Sequence, residues 1–294
     1  MKTGELLLLG QSGIYTYNTE EQTVTLIKAG NYITCGKDRY NYIALRVDGS
    51  IYTSQKGYVW HQCGLAHNTM VSSKMKCNEQ LTYLGPMCSP SFTGYNTDDY
   101  CNWSRGIENA ISDVAWNGKI WLAGGETLHT SPDGKVWKPV TPLDLGGGTS
   151  QHIDTILWDT KQWIISGNGT GIFVVNDSVT TSLRTLPPQG DGVHQKALFF
   201  NFHAPIRYMA GQASSDETIA ITNPLIRSEN AIQWTACILG VSNITKVCDI
   251  TYENRKYYVI AKSTDGKTHL LSSVSGIDWT HISDSLPTLN KFLV

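Results

Sequence analysis

Val114-Ala115-Trp116-Asn117-Gly118-Lys119-Ile120-Trp121-Leu122-Ala123-Gly124 runs apolar, aromatic, polar turn, aromatic, apolar, small, glycine. Ile156-Leu157-Trp158-Asp159-Thr160-Lys161-Gln162-Trp163-Ile164-Ile165-Ser166-Gly167 repeats that order 42 residues later. Both halves of each stretch are short and rich in aromatic and β-branched residues, and a polar turn divides them. That is the chemistry of a β-hairpin. The aromatic before the turn recurs at Trp116, Trp158, Phe200 and Tyr252, at spacings of 42, 42 and 52. The closing glycine recurs at Gly124, Gly167 and Gly211, at spacings of 43 and 44. Self-similarity at a fixed period of this size marks a repeat architecture.

A second marker lies downstream in register. Ser131-Pro132-Asp133-Gly134-Lys135-Val136-Trp137 has the form S-x-D-G-x-x-W. Ser54, Gly57 and Trp60 keep its serine, glycine and tryptophan, and so do Ser273, Gly276 and Trp279. Trp234, 45 residues before Trp279, reads as the tryptophan of a unit that has lost the rest. The Asp-Gly pair suits a two-residue hairpin with positive φ at both positions. Ser131 and Asp133 are placed to bond the turn amides. Trp137 is expected to begin the outer strand and to bury its ring between neighbouring units. The motif therefore reads as a stabiliser, not as a centre of chemistry.

Four strands fit each unit. Around the first stretch they are read at 112–117, 119–124, 127–131 and 136–140. Four antiparallel strands recurring every 40 to 50 residues describe an all-β propeller. At 42 residues per unit, 294 residues make seven blades. The expected units are 30–68, 69–108, 109–150, 151–192, 193–242 and 243–284, with 1–29 as a short first unit. That first unit opens on its second strand, so the apolar tail 286–294 is assigned to it. Residues 289–294 are expected to supply its inner strand and close the ring, leaving no open edge there.

The S-x-D-G-x-x-W form resembles the Asp-box, or BNR, repeat of sialidase-like propellers. The box here is one residue shorter than the usual one and resembles repeats of phage and large DNA virus proteins. Residues 116–125 resemble the latter in particular. The resemblance implies a propeller scaffold and does not by itself imply catalysis.

Composition narrows the function classes. Twenty-three basic residues against 25 acidic ones give a net charge of −2, without the basic excess expected of a nucleic-acid binder. No stretch approaches the ~20 apolar residues of a membrane span, and the start lacks the pattern of a secretory signal. Virion or cytoplasm is the expected location. Seven cysteines include no C-x-x-C pair, and eight histidines form no H-x-H cluster, so no metal site and no cofactor is expected. Cys88 and Cys101 bracket a presumed hairpin across which they could meet. Seven arginines do not reproduce the sialidase pattern, although Arg207 echoes one of its strands. A glycosidase would need two facing loop carboxylates, which no local pattern reveals.

Function is therefore expected to lie on surfaces. Arg105, Asp144, His152, Asp191 and His194 sit in or near the connections 103–110, 141–152 and 187–195, which lead from one unit to the next. Tyr95, Asp98, Asp99 and Tyr100 are expected at or near the tip of an extended hairpin, 89–102. Aromatic rings beside carboxylates are typical contact chemistry. The sequence thus points to a non-catalytic, structural or protein-interaction propeller, virus-encoded and virion-associated, with capsid or tail proteins as partners. A carbohydrate-binding propeller holding glycans, and an Asp-box glycoside hydrolase, are the alternatives.

Overall fold

The computed structural model describes residues 4–66, 74–78, 81–85, 95–107, 111–140, 152–167, 171–185, 196–212, 220, 223–284 and 286–293. Among these residues there is no helix, and twenty-eight strands form seven four-stranded antiparallel sheets. Blade one joins β1 (Glu5–Gly10), β2 (Gly13–Asn18) and β3 (Thr23–Ala29) to β28 (Leu289–Phe292), in the order β28-β1-β2-β3. Leu8 pairs with Phe292, Leu9 with Lys291, and Leu293 N donates to Leu7 O. The C-terminal segment therefore closes the ring as its first strand. Leu289, Phe292 and Leu293 are all buried there.

The other blades follow in chain order. Their inner strands are β4 (Tyr32–Lys37), β8 (Lys74–Cys77), β12 (Ile111–Trp116), β16 (Ile153–Trp158), β20 (Lys196–His203) and β24 (Ile244–Glu253). The buried apolar residues form seven clusters, one at each contact between neighbouring blades. The core is thus a ring of interfaces rather than one central mass, and each blade is stabilised from both sides.

The S-x-D-G-x-x-W turn departs from the two-residue hairpin expected of it. In blade four β14 (Leu128–Ser131) and β15 (Lys138–Pro139) are separated by six residues, and only Gly134 has positive φ, at 70°. The outer strand is shorter than the expected 136–140 because the turn extends through Trp137. Gly134 N donates to Ser131 Oγ, and Ser131 Oγ donates to Asp133 Oδ1. Lys135 N and Val136 N also donate to Asp133 Oδ1, and Trp137 Nε1 donates to Gly134 O at 3.0 Å. One carboxylate therefore organises the whole turn.

Blade six has not lost its turn. Ser228, Asn230 and Trp234 repeat these bonds, except that Ser228 Oγ accepts from Asn230 N, and Ala231 takes the glycine position at φ 61°. Blade three also builds one, from Thr97, Asp99, Tyr100 (φ 62°) and Trp103. The turn is therefore present in blades two, three, four, six and seven, and blade four is not alone in keeping its aspartate. In every case the tryptophan packs into the interface with the preceding blade. Register also corrects the aromatic repeat. Phe202 pairs with Arg207 as Trp116 pairs with Trp121 and Trp158 with Trp163, so Phe202, not Phe200, is the equivalent residue.

Candidate functional site

The inner strands enclose an axial cavity of about 570 Å³, lined from all seven blades. Its walls carry Lys74 and Lys76 from β8, Lys246 from β24, Lys291 from β28, and the carboxylates of Asp113 and Asp249. β-Bulges interrupt the pairing of β4, β12, β16, β20 and β24, and at four of these the register shifts just before Thr34, Asp113, Thr155 or Asp249. A bulge re-aims a side chain at the rim of a closed sheet system.

The two aspartates use this placement to staple neighbouring blades. Asp113 Oδ2 accepts from Thr155 Oγ1 at 2.8 Å and from Ile156 N at 3.0 Å, both in blade five, while Oδ1 accepts from Val114 N. Asp249 Oδ2 accepts from Phe292 N of blade one, and its Oδ1 from Ile250 N. Asn201 Nδ2 donates to Ile250 O, joining blades six and seven. These are structural roles, and backbone amides occupy both oxygens of each carboxylate.

The charges differ in their surroundings. Burial pushes the Asp249 carboxyl up to about 6, against the pull of Lys291 and the two amides. Burial also raises Asp113, but Lys74, Lys76 and its hydrogen bonds outweigh it and hold the group below the usual carboxylate range. Lys74 lies 3.6 Å from Asp113 and donates to Asp154 O at 2.6 Å. Its ammonium is lowered by burial and, in part, by the neighbouring charges of Lys76 and Lys291. Burial lowers His203, in the same wall, to about 4, so it is neutral at pH 7.

A second surface is made by the turns that join the third and outer strands, all on one face of the ring. They expose Val59 (64%), Val136 (63%) and Val274 (74%), together with Ile232 and Ile277. These aliphatic side chains stand on the turns of blades two, four, six and seven and form a broken apolar band on that face.

The residues singled out from sequence do not gather into one site. Tyr95 lies within β10 (Tyr95–Thr97), paired to Leu84 and Arg105 and half-buried against the blade two–three core, not at a hairpin tip. Asp98, Asp99 and Tyr100 belong to the tryptophan turn of blade three. Asp98 pairs with Lys135 of blade four at 3.2 Å, and Tyr100 Oη donates to Asp38 Oδ2 of blade two. Arg105 lies in β11 (Ser104–Arg105). His152 Nε2 hydrogen-bonds Ser112 Oγ at 2.6 Å across blades four and five. Asp144, Asp191, His194 and Cys88 lie outside the described residues. Cys101 Sγ instead meets Cys63 O of blade two, at 2.8 Å. Arg207 does not face the axis: it is buried, ion-paired with Asp159 of blade five, and bonds the carbonyls of Pro205 and Glu229. It is a blade-to-blade clamp. Among the described residues no group of three or more His, Cys, Asp or Glu side chains is arranged to hold a metal ion, and no helix is long and apolar enough to cross a membrane.

Sequence reasoning missed the axial lysines. Lys76 and Lys246 are 170 residues apart and share no local motif. Aligning the inner strands by hairpin register is the one signal that brings them together.

No protein-family model matches the chain, and no curated protein matches it significantly. Solved structures do. Sqt1 of Saccharomyces cerevisiae is similar with a TM-score of 0.61 at 8% identity, over 98% of this chain and 84% of its own. YCF48 bound to D1 peptide gives 0.60 at 12% identity, over 95% and 85%. A chain of the mitotic checkpoint complex gives 0.60 at 12%, over 94% and 83%. At such identities the likeness establishes fold, and with the seven sheets it makes this chain a seven-bladed β-propeller.

Proposed function

We propose that this propeller is a rigid, non-catalytic protein-binding module whose partner docks on the rim of tryptophan turns. The observation that carries this reading is the exposed aliphatic band of Val59, Val136, Ile232, Val274 and Ile277 on one face. Each of these side chains stands on a turn that internal hydrogen bonds hold in place, so docking orders little that is not already ordered. Similar propellers occur with a bound peptide and within a checkpoint assembly, which is the company such a module keeps. The short tryptophan turns further support kinship with Asp-box propellers of the virus-associated kind, and with it a place in a virion among capsid or tail proteins. A glycan-binding role would call for equivalent aromatic platforms. The turn tryptophans instead pack inward between blades, which favours a protein partner.

Affinity capture from the native source followed by mass spectrometry tests this reading. One partner or particle is expected with the native chain, and Val136→Asp combined with Val274→Asp should lose it. Equal capture by that variant, or recovery of a partnerless monomer that cleaves a glycoside, overturns the reading.

A further inference from the structure

We propose that the axial cavity is a binding site for a small polyanion carrying two or more phosphate or carboxylate groups. The site does not depend on the docking rim, which lies on the turns and not on the inner strands.

Four lysines and two carboxylates line the cavity. The carboxylates accept backbone amides through both oxygens, so they are committed to joining blades four to five and seven to one. His203 is held neutral and adds no charge at pH 7. Lys74, Lys76, Lys246 and Lys291 face these two carboxylates, one of which lies 3.6 Å from Lys74, so the wall keeps a cationic surplus of two. These lysines come from three separate blades and are fixed on strands, the most rigid parts of the fold. Lys76 and Lys291 each depress the Lys74 ammonium, against the pull of Asp113 and Asp154, so both lie within electrostatic reach of Lys74. Lys76 also acts on Asp113 and on Asp249, in the inner strands of two different blades, so its charge is felt across the axis.

Like charges gathered around one cavity repel to the extent that the two carboxylates do not balance them, and an added anion relieves that repulsion. Concave walls of one sign also focus the field and raise the local concentration of the opposite ion. Lysine is a compact charge with three donors that suits oxyanions without demanding a fixed planar geometry. A cavity of about 570 Å³ falls in the range of small-ligand sites and admits a molecule the size of a di- or triphosphate or a tricarboxylate.

Titration calorimetry with inorganic tripolyphosphate and, separately, citrate tests the site. Saturable one-to-one binding below about 1 mM is expected for at least one of them. If phosphate alone binds, the ligand is phosphorylated; if citrate alone binds, it is a polycarboxylate. Lys76→Met combined with Lys246→Met should weaken binding at least tenfold, while Lys119→Ala combined with Lys267→Ala, on the outer surface, should not. Thermal unfolding without ligand checks the fold of each variant, and the double axial variant should melt no lower than the native chain. Should it fail to fold, Lys76→Met alone serves, with a several-fold loss expected. No saturable binding of either anion, or affinity unchanged in the axial variants, overturns the proposal.

Discussion

The turn at residues 97–103 of blade three and the turn at residues 131–137 of blade four share only their aspartate and their tryptophan, yet they carry corresponding hydrogen bonds. Threonine replaces serine, because either hydroxyl can accept the amide three residues on. Tyrosine replaces glycine, although both adopt positive φ, at 62° and 70°. In blade four a Cβ on Gly134 would meet Leu81 Cδ2 at 2.5 Å, so glycine is required by space as well as by backbone. In blade three Tyr100 reaches Asp38 of blade two, and its side chain gains a contact there. The same turn is thus held by a carboxylate and a left-handed residue, while the neighbouring blade decides which letters are allowed.

The scale for testing this is set by the ring itself. Removal of residues 289–294 strips three buried apolar side chains and the pairing of β1 with β28. At ~2 kcal/mol for each side chain this should cost at least about 5 kcal/mol, a large share of the stability of an ordinary domain. Calorimetry should show the cooperative transition lost or lowered by more than about 10 °C. Smaller changes confined to one turn should fall well below it.

Exchanging letters between the turns comes next. Gly134→Tyr should cost about 3 kcal/mol or more, since it adds left-handed strain to a clash with Leu81. Urea denaturation measures it, and a cost under about 1 kcal/mol would mean that blade three's tolerance is general.

Asp133→Ala should follow, at about 1 kcal/mol once solvent screening of an exposed group is allowed for. The amides of Val136 and Lys135 hold this carboxyl below its usual range, and the amide of Asn102 does the same for Asp99. A depressed carboxyl contributes stability that is present above the unfolded value of about 4 and is lost as pH falls below it. The difference between Asp133→Ala and the native chain should therefore shrink between pH 5 and pH 3 when denaturation is followed across that window. Asp99→Ala should behave in the same direction.

The smallest effect is expected from Asp133→Asn, within about 0.5 kcal/mol. Asn230 already holds the blade-six turn through the same oxygen. A larger loss, read from the same denaturation curves, would show that charge and not geometry holds the turn.

The architecture is legible because two markers recur in register, and short aromatic and β-branched segments divided by polar turns are the chemistry of strands. The closing role of the C-terminal strand followed from a first unit one strand short. The turn of blade three was hidden because Thr97, Tyr100 and Trp103 spell a familiar geometry in unfamiliar letters, so Asp99 and Tyr100 read as contact residues. A fixed period of 42 from Trp158 lands on Phe200, but the step from blade five to blade six is 44 residues, and only the hairpin register shows it: the bulges at Ile153/Thr155 and Ala197/Phe199 stand in the same place relative to Trp158 and Phe202. The axial lysines left no local trace. Their meeting depends on which strands are innermost, and that is known only once the ring exists.

The pairing of Leu8 with Phe292 joins residues 284 positions apart. A chain made from its amino end must keep β1 waiting, one edge unpaired, until the other six blades have been synthesised. Throughout that interval any copy of the closing peptide will satisfy it, including one from another molecule. Crowded folding should therefore yield partner-exchanged dimers, each ring completed by the other's final strand.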